Sequence, residues 1–307
     1  MSGPLLVLGP HDDAQVVAVR RAAAERDVPV QVVRLSETRP DRWQWTPDRI
    51  ETSEGDRLDE VRGIYVRSMP TPLPEHTAEH VHPDDEAVWL ERAERRRRRL
   101  GFFKSAQLAL DERGVPILNP VWGYRHHRSK PGADAELAAA GIPVPRGVAT
   151  SDPAEVEALL DELGDLVYKP VAGGGRCRVL DPTTLRHGRR LDVAPVYFQE
   201  HVPGRNLRVY TLDDRITAAF DIEADDVDFR GRETAISVIE LDDDVAQLAI
   251  AAAKVLGLRF SGSDIKATPD GRHVVLDVNP SPMFAGIDHR VDGAIAGSIV
   301  DVLAAPR

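Results

Sequence analysis

Two carboxylates near the end of the chain have the spacing of a candidate metal site. A turn signal, Pro269–Arg272, separates two strand-like runs and predicts a β-hairpin. In this hairpin Asp264 would face Asp277, and Thr268 would face His273. Directly opposed side chains in antiparallel strands have Cβ atoms about 4.5–5.5 Å apart, where like charges repel each other. A cation between the two aspartates would remove this repulsion; a shifted register or a solvated carboxylate is the alternative.

Asn279 adds an amide oxygen on the same face of the second strand, two residues after Asp277. Pro280 and Pro282 then end the strand and force an irregular loop that a ligand could approach. Mg²⁺ prefers oxygen ligands and usually binds through one or two carboxylates together with substrate phosphates. The pattern therefore indicates a magnesium site that also receives phosphate groups.

A lysine followed by three glycines forms a candidate phosphate site. In LVYKPVAGGGRCRVL (166–180), apolar residues lead to Lys169, Gly173–Gly175 follow, and a second apolar run closes a predicted hairpin. Backbone N–H groups of such a loop can bind phosphate oxygens, and the lysine supplies a positive charge. Lysine is scarce in this chain, in which 34 of the 39 basic residues are arginine. A loose surface turn is the alternative interpretation of the glycines.

The helices and strands that must position these residues are predicted to form a mixed α/β chain. Strands are predicted at 4–9, 28–35, 62–68 and 114–120 and helices at 12–26 and 84–113, in an N-terminal domain of residues 1–120. A central part, 121–196, contains two helices and the glycine hairpin. A C-terminal part, 197–307, is rich in strands and contains the predicted metal site.

Composition excludes several classes of function. The chain has 307 residues and a net charge of −11, which argues against a nucleic-acid partner held by a basic surface. The lone Cys177 cannot form an internal disulfide. The N-terminal apolar run is too short for a signal peptide or a membrane span, so we expect a cytoplasmic protein without a membrane partner.

Three motifs in fixed order resemble the ATP-grasp superfamily. Lys169-Pro170 with Gly173–Gly175 resembles its phosphate-covering loop, and Gln199–Val202 resembles its adenine hinge. Asp264 with Asp277–Pro280 resembles its magnesium site. The most similar branch is that of the ribosomal-protein glutamate-ligase-like (RimK-type) carboxylate–amine ligases, which also include macrocycle-forming peptide ligases. The resemblance covers about residues 115–300 and implies an α/β (α+β) ATP-grasp fold that follows a pre-ATP-grasp-like α/β domain.

The resemblance implies roles for the residues that match. Lys169 would contact the α- and β-phosphates of ATP, and Arg208 would stabilise charge on the transferred phosphoryl group. Asp264, Asp277 and Asn279 would hold Mg²⁺, with two ions expected and Mn²⁺ as an alternative. The other implied nucleotide-binding residues are Lys130, Gly173, Gly174, Gly175, Glu200, His201, Val202 and Asn206.

The implied activity is ATP-dependent joining of a carboxylate to an amine through an acylphosphate, with release of ADP and phosphate. The substrates would be small molecules or peptides, and homo-oligomer formation is left open. Arg67, Arg230 and Arg232 lie in predicted loops or strand ends where they could bind a substrate carboxylate. Because arginine is so abundant here, surface charge is the alternative for each of them.

Some positions depart from the family pattern and keep two other functions open. Asp277 stands where the ligase branch usually has Glu, and Asn206 stands where an Asp is frequent. An Asp at the metal position is more typical of the inositol-phosphate kinase branch, which suggests a small-molecule kinase. A nucleotide-binding protein without turnover is the third hypothesis.

Two further signals carry little weight. The run Arg95–Arg99 could bind an acidic peptide, but a solvated helix face is the favoured interpretation. The HPDDE sequence at 82–86 resembles a zinc motif of small deacetylases, yet its context is that of a helix start.

Overall fold

The computed structural model describes residues 3–33, 44–46, 49–51, 57–67, 86–172, 175–181, 194–228 and 231–306. The described chain divides into two compact units. One contains the residues up to Val121 together with those from Met283 onward, and the other is Trp122–Pro282. The helices are α1 (Ala14–Ala24), α2 (Glu86–Glu112), α3 (Lys130–Ala139), α4 (Pro153–Leu163), α5 (Asp243–Val255), α6 (Ala285–Asp288) and α7 (Ala294–Ala304).

The strands of the first unit are β1 (Leu5–Leu8), β2 (Val30–Val33), β3 (Gln44–Thr46), β4 (Arg49–Glu51), β5 (Gly63–Val66) and β6 (Ile117–Leu118). Those of the second unit are β7 (Gly147–Thr150), β8 (Leu166–Pro170), β9 (Arg178–Val179), β10 (Val196–Glu200), β11 (Arg205–Leu212), β12 (Arg215–Ala224), β13 (Glu233–Val238), β14 (Phe260–Ala267) and β15 (His273–Asn279).

The first unit is built on a parallel sheet with the order β2-β1-β5-β6. All four residues of β1 and of β5 are buried, as expected for the central strands of a parallel sheet covered on both faces. Asp13 starts α1 by accepting hydrogen bonds from the backbone N–H groups of Gln15 and Val16. The βαβ unit predicted from the sequence is therefore present, with its helix two residues shorter at each end than expected.

The last helix of the chain belongs to this first unit. Ile295, Ile299 and Leu303 are fully buried at helical spacing, and α7 packs against α1 and β5. The sequence-based division had grouped residues 283–307 with the C-terminal part. The sequence-based division differs from the observed one because the apolar stripe of α7 does not specify which sheet the helix covers.

A buried carboxylate holds the start of α7. Asp288 accepts hydrogen bonds from the backbone N–H groups of Ile295 (2.9 Å) and Ala296 (3.3 Å), while the N-cap residue Gly293 has no side chain to offer. Asp288→Ala is expected to lower the free energy of unfolding of this unit by about 1–3 kcal/mol, because two buried donors lose their acceptor. Urea unfolding measures the change.

Asp301→Ala is the matched control for that variant. Asp301 lies on the same helix and pairs with Arg26, but 62% of its side chain is exposed. Such surface ion pairs contribute about 0–1 kcal/mol. Equal losses of stability in the two variants would contradict the capping role of Asp288.

The second unit contains two antiparallel sheets, each with its own core. The sheet β7-β10-β8-β9 packs against α4 through a core centred on Val156, Leu166 and Phe198. The sheet β13-β12-β11-β14-β15 packs against α5 and α3 through a larger core that includes Val209, Ala249 and Leu137. Successive side chains of a strand point to opposite faces of its sheet. Each sheet therefore has a second face, which does not form these cores and can carry functional side chains.

The β14–β15 hairpin confirms one predicted pair and corrects another. Asp264 lies opposite Asp277, as predicted, but His273 pairs with Ala267 and not with Thr268. Thr268 instead lies in the turn, where its Oγ1 receives a hydrogen bond from the backbone N–H of Arg272. The register shifts between Asp264 and Ile265, and this β-bulge restores the pairing that a simple two-residue turn would have given.

In the described part of the chain, no helix combines the length and the apolar character needed to cross a membrane. The long helix α2 carries the arginine run instead. Arg95 pairs with Glu91, and Arg97 and Arg98 pair with Glu94, as expected for a solvated helix face, whereas Arg99 is buried. Residues 82–85 of the HPDDE sequence lie outside the described residues. Its last residue, Glu86, is the first residue of α2.

Candidate active site

Two carboxylates and two cations meet on β11, β14, β15 and α3 of the second unit. Arg208 donates from Nε and Nη2 to the two oxygens of Asp264, at 2.5 and 3.1 Å. Lys130, in the first turn of α3, donates from Nζ to Oδ1 of Asp277 at 2.6 Å. Arg208 also lies directly opposite Asp264 across the β11–β14 pair. The sequence prediction that these four residues belong to one site thus has a geometric basis.

The opposed aspartates have unequal electrostatic surroundings. Burial raises the pKa of Asp264 above its ordinary value, although the Arg208 guanidinium opposes this rise. Burial acts on Asp277 in the same direction, but the charges of Lys130, Lys169 and Arg208 together outweigh it and hold the pKa of Asp277 below its ordinary value. Asp277 is therefore the more firmly ionised of the two.

These side chains fit a magnesium ion. Two carboxylates and the Asn279 amide supply only oxygen donors from neighbouring strands, which is the chemistry that Mg²⁺ prefers. Asn279 Oδ1 accepts a hydrogen bond from the Ser281 N–H (2.9 Å), which fixes the loop after β15. Among the described residues no three His, Cys, Asp or Glu side chains cluster as a metal site.

Gly262 explains how the loop after β15 lies so close to the sheet. A Cβ atom at position 262 would come within 2.5 Å of Pro282 Cβ. Any residue larger than glycine at this position would therefore displace the loop. Gly262 is also the cross-strand partner of Asn279. Residue 262 thereby sets the position of the third oxygen donor.

Lys169 reaches the same region from the other sheet of the second unit. It lies on β8, and its Nζ is 3.4 Å from the carbonyl oxygen of Leu276, the residue before Asp277. The predicted hairpin is present, since β8 pairs with β9 in antiparallel register. Gly173 and Gly174 lie outside the described residues. Gly175 is required for packing, because a Cβ there would come within 2.4 Å of the Pro170 ring.

The candidate hinge, Glu200–Val202, follows β10. The N–H of Glu200 donates to Arg146 O and that of His201 donates to Asp165 O, both at 2.8–2.9 Å. These two donors already have protein partners, and the adenine-binding role of the hinge remains a prediction. Asn206 uses its Nδ2 to donate to the carbonyl of Ile222 (2.9 Å), so its amide also links β11 to β12.

The three substrate arginines have different surroundings. Arg67, at the end of β5 in the first unit, donates to both oxygens of Asp13 at 2.9 and 3.1 Å. Its charge is thus largely neutralised where it lies. Arg232 is exposed just before β13, and Arg230 lies outside the described residues. Their roles in substrate binding remain predictions.

Sequence reasoning missed a buried polar cluster beside Lys169. Asp134 on α3 accepts hydrogen bonds from the Tyr197 hydroxyl (2.8 Å) and from Gln199 Nε2 (2.7 Å). A signal was available, because Asp134 is one turn after Lys130 on α3 and Tyr197 and Gln199 alternate on one strand face. Lys169 lies directly opposite Tyr197 in the β8–β10 pair.

The chain matches the family model of the RimK-like ATP-grasp domain over residues 133–303, which is more than half of its length. A curated relative is the probable alpha-L-glutamate ligase 2 of Shewanella baltica (strain OS155 / ATCC BAA-1091). It is 28% identical over 215 residues, which are 65% of this chain and 71% of that protein.

Solved structures of the ATP-grasp ligase PsnB match nearly the whole chain. The complex of PsnB with minimal precursor has a TM-score of 0.84 and 32% identity and covers 99% of both chains. The complex with a phosphomimetic variant of minimal precursor, Mg and ADP has a TM-score of 0.83 and 31% identity and covers 98% of both chains.

The ligase names of these relatives favour bond formation over the kinase hypothesis that Asp277 had suggested. The ATP-grasp fold predicted from the motifs is likewise confirmed by the family match and by the structural similarity. The chain belongs to the RimK-like ATP-grasp family and is an ATP-dependent carboxylate–amine ligase.

Proposed function

We propose that this ligase activates a peptide carboxylate with ATP at the cluster formed by Lys130, Lys169, Arg208, Asp264 and Asp277. The observation that carries the proposal is that these charged side chains come together from α3, β8, β11, β14 and β15 within the second unit. Three cations beside two carboxylates leave a net positive charge, which complements the net negative charge of a magnesium ion and a polyphosphate.

Each residue has a distinct task in this proposal. Asp264, Asp277 and Asn279 would hold Mg²⁺, which when bound neutralises phosphate charge. Lys169 would bind the α- and β-phosphates and Lys130 would hold the nucleotide from α3. Glu200, His201 and Val202 would bind adenine, Asn206 would contact the ribose, and Gly173–Gly175 would cover the phosphates. The proposal includes each of these individual contacts. It also includes two bound metal ions and Mn²⁺ as a substitute for Mg²⁺.

The chemistry follows from the poor leaving group of a carboxylate. Transfer of the γ-phosphoryl group from ATP to a carboxylate oxygen breaks the bond to ADP and gives an acylphosphate. An amine then attacks the carbonyl carbon and releases phosphate, so that one amide forms for each ADP. Arg208 would stabilise charge on the transferred group, because its guanidinium is fixed by two hydrogen bonds to Asp264.

The similarity to PsnB supports a peptide as the carboxylate substrate. PsnB was solved with its minimal precursor, and this chain is 32% identical to it over 99% of both chains. Arg232, Arg230 and Arg67 are the proposed contacts for substrate carboxylates. Cytoplasmic localisation and self-association stay predictions.

Parallel measurement of ADP, phosphate and product tests this function. The purified protein is given Mg²⁺ and ATP with either acidic peptides that contain lysine or a mixture of free amino acids and amines. We expect ADP and phosphate in equal amounts, together with a peptide product lighter by one water, and no reaction after magnesium is chelated. ADP without matching phosphate would instead indicate a kinase, and turnover with free amino acids alone would contradict a peptide substrate.

A further inference from the structure

The buried carboxylate of Asp134 has an arrangement that the packing of the fold does not require. Asp134, Tyr197 and Gln199 are only 7%, 4% and 2% exposed. Oδ2 of Asp134 accepts from both Tyr197 Oη and Gln199 Nε2, and these two donor groups are themselves 3.1 Å apart. An oxygen that accepts two hydrogen bonds in this way suits an ionised carboxylate.

Such a charge is unfavourable in the interior unless cations compensate it. Both hydrogen-bond donors of Asp134 named here are neutral groups. Asp134 lies one helical turn after Lys130 on α3, and its charge acts on the ammonium groups of Lys130 and Lys169. Leu137, three residues later, is buried in the apolar core, so α3 is anchored by apolar packing as well as by Asp134.

Tyr197 connects this carboxylate to Lys169. The two residues are cross-strand partners, and Lys169 Nζ lies 5.4 Å from the centroid of the Tyr197 ring. This distance is within the range of a cation–π interaction. The hydrogen bonds to Asp134 fix the ring from its hydroxyl end, and the ring in turn supports the ammonium.

We propose that Asp134 is a positioning residue that acts through Tyr197 and Gln199 to hold Lys169 ready for the phosphates of ATP. The inference rests on the proposed role of Lys169. Asp134 ties α3, which carries Lys130, to β10, which pairs with the strand of Lys169. The two lysines of the site are thereby kept in a fixed mutual arrangement before the nucleotide binds.

The charge of Asp134 has a second effect on Lys169. Burial lowers the pKa of the Lys169 ammonium, and the Asp134 carboxylate opposes this decrease. Loss of the carboxylate would therefore lower the pKa of Lys169 further and would also remove the contact that orders the lysine. Both effects weaken binding of a polyphosphate.

Equilibrium binding of ATP in the presence of Mg²⁺ tests the inference without requiring turnover. Tyr197→Phe and Asp134→Asn are expected to weaken ATP binding about five- to tenfold, the effect of losing a charge-assisted hydrogen bond. Tyr168→Phe is the matched control on β8, because Tyr168 packs on Phe198 at the opposite face of the same sheet. Glu136→Gln is the control on α3, where Glu136 pairs with Arg125 and His126. Both controls should stay within about twofold of the native affinity.

A double-mutant cycle with Lys169→Met separates positioning from simple stabilisation. If Tyr197 acts through Lys169, Tyr197→Phe should have little further effect on ATP affinity once Lys169 is replaced. Additive losses, or folded Tyr197→Phe and Asp134→Asn variants with native affinity, would overturn the inference while leaving the proposed function intact. Native ATP affinity in Lys169→Met would overturn the proposed role of Lys169 and the inference with it.

Discussion

Replacement of Asp277 by asparagine is expected to reduce the rate of ligation by about a hundred- to a thousandfold in a protein that remains folded. Asp277 is the more firmly ionised of the two opposed carboxylates, and it pairs with Lys130 at 2.6 Å. The amide keeps the size of the side chain but removes the charge that would hold Mg²⁺ and orient the lysine. Loss of one preorganised charge partner at a reacting phosphoryl group has effects of this size.

Asp270→Asn is the matched control for this variant. Asp270 lies in the turn of the same hairpin and pairs with Arg272 in an exposed ion pair. Formation of peptide product and of ADP should be close to native in this variant, because the same charge is removed far from the cluster. A small loss in Asp277→Asn, comparable to that in Asp270→Asn, would show that Asp277 is not a metal ligand.

Arg208→Lys is expected to lower kcat by about a hundredfold while the KM for the peptide changes little. The guanidinium binds both oxygens of Asp264, and 13% of its side chain is exposed. A lysine keeps the positive charge but lacks the planar pair of donors, so it cannot hold Asp264 and the transferred group in one geometry. A group that acts mainly in the transition state affects kcat more than substrate binding.

The control for Arg208→Lys lies on the same strand. Arg205 pairs with Asp221 and is mostly exposed, so Arg205→Lys should leave kcat and KM near their native values. Steady-state kinetics with the accepted peptide distinguishes the outcomes. An increase in the KM for the peptide with an unchanged kcat in Arg208→Lys would assign this residue to substrate binding and contradict its role in phosphoryl transfer.

The sequence was informative wherever a residue type restricts the local geometry. Pro269, Asp270 and Gly271 predicted the hairpin, and the pairing of Asp264 with Asp277 followed from it. The route to that pairing was only partly right, since a five-residue turn and a β-bulge compensate each other. Turn propensities do not report a bulge in the strand that follows, because the extra residue of a bulge lies outside the turn.

The residues that were missed have roles that only tertiary contacts reveal. Asp134 lies one turn after Lys130 on the predicted helix, but this spacing does not reveal that its carboxylate is buried against Tyr197 and Gln199. Likewise, the sequence-based division did not place α7 in the first unit, to which it belongs. Local pattern determines which face of an element is buried, and the partner of that face depends on the whole chain.

The fate of the oxygen atoms in the substrate carboxylate tests the central claim most directly. The accepted peptide is labelled with the heavy isotope of oxygen in its side-chain carboxylates, and the phosphate released during ligation is analysed by mass spectrometry. Activation through an acylphosphate predicts one labelled oxygen in phosphate for each bond formed, because the carboxylate oxygen leaves with the phosphoryl group. Unlabelled phosphate alongside product, or a phosphoryl group that stays on the substrate, would contradict the claim that this site activates a carboxylate for ligation.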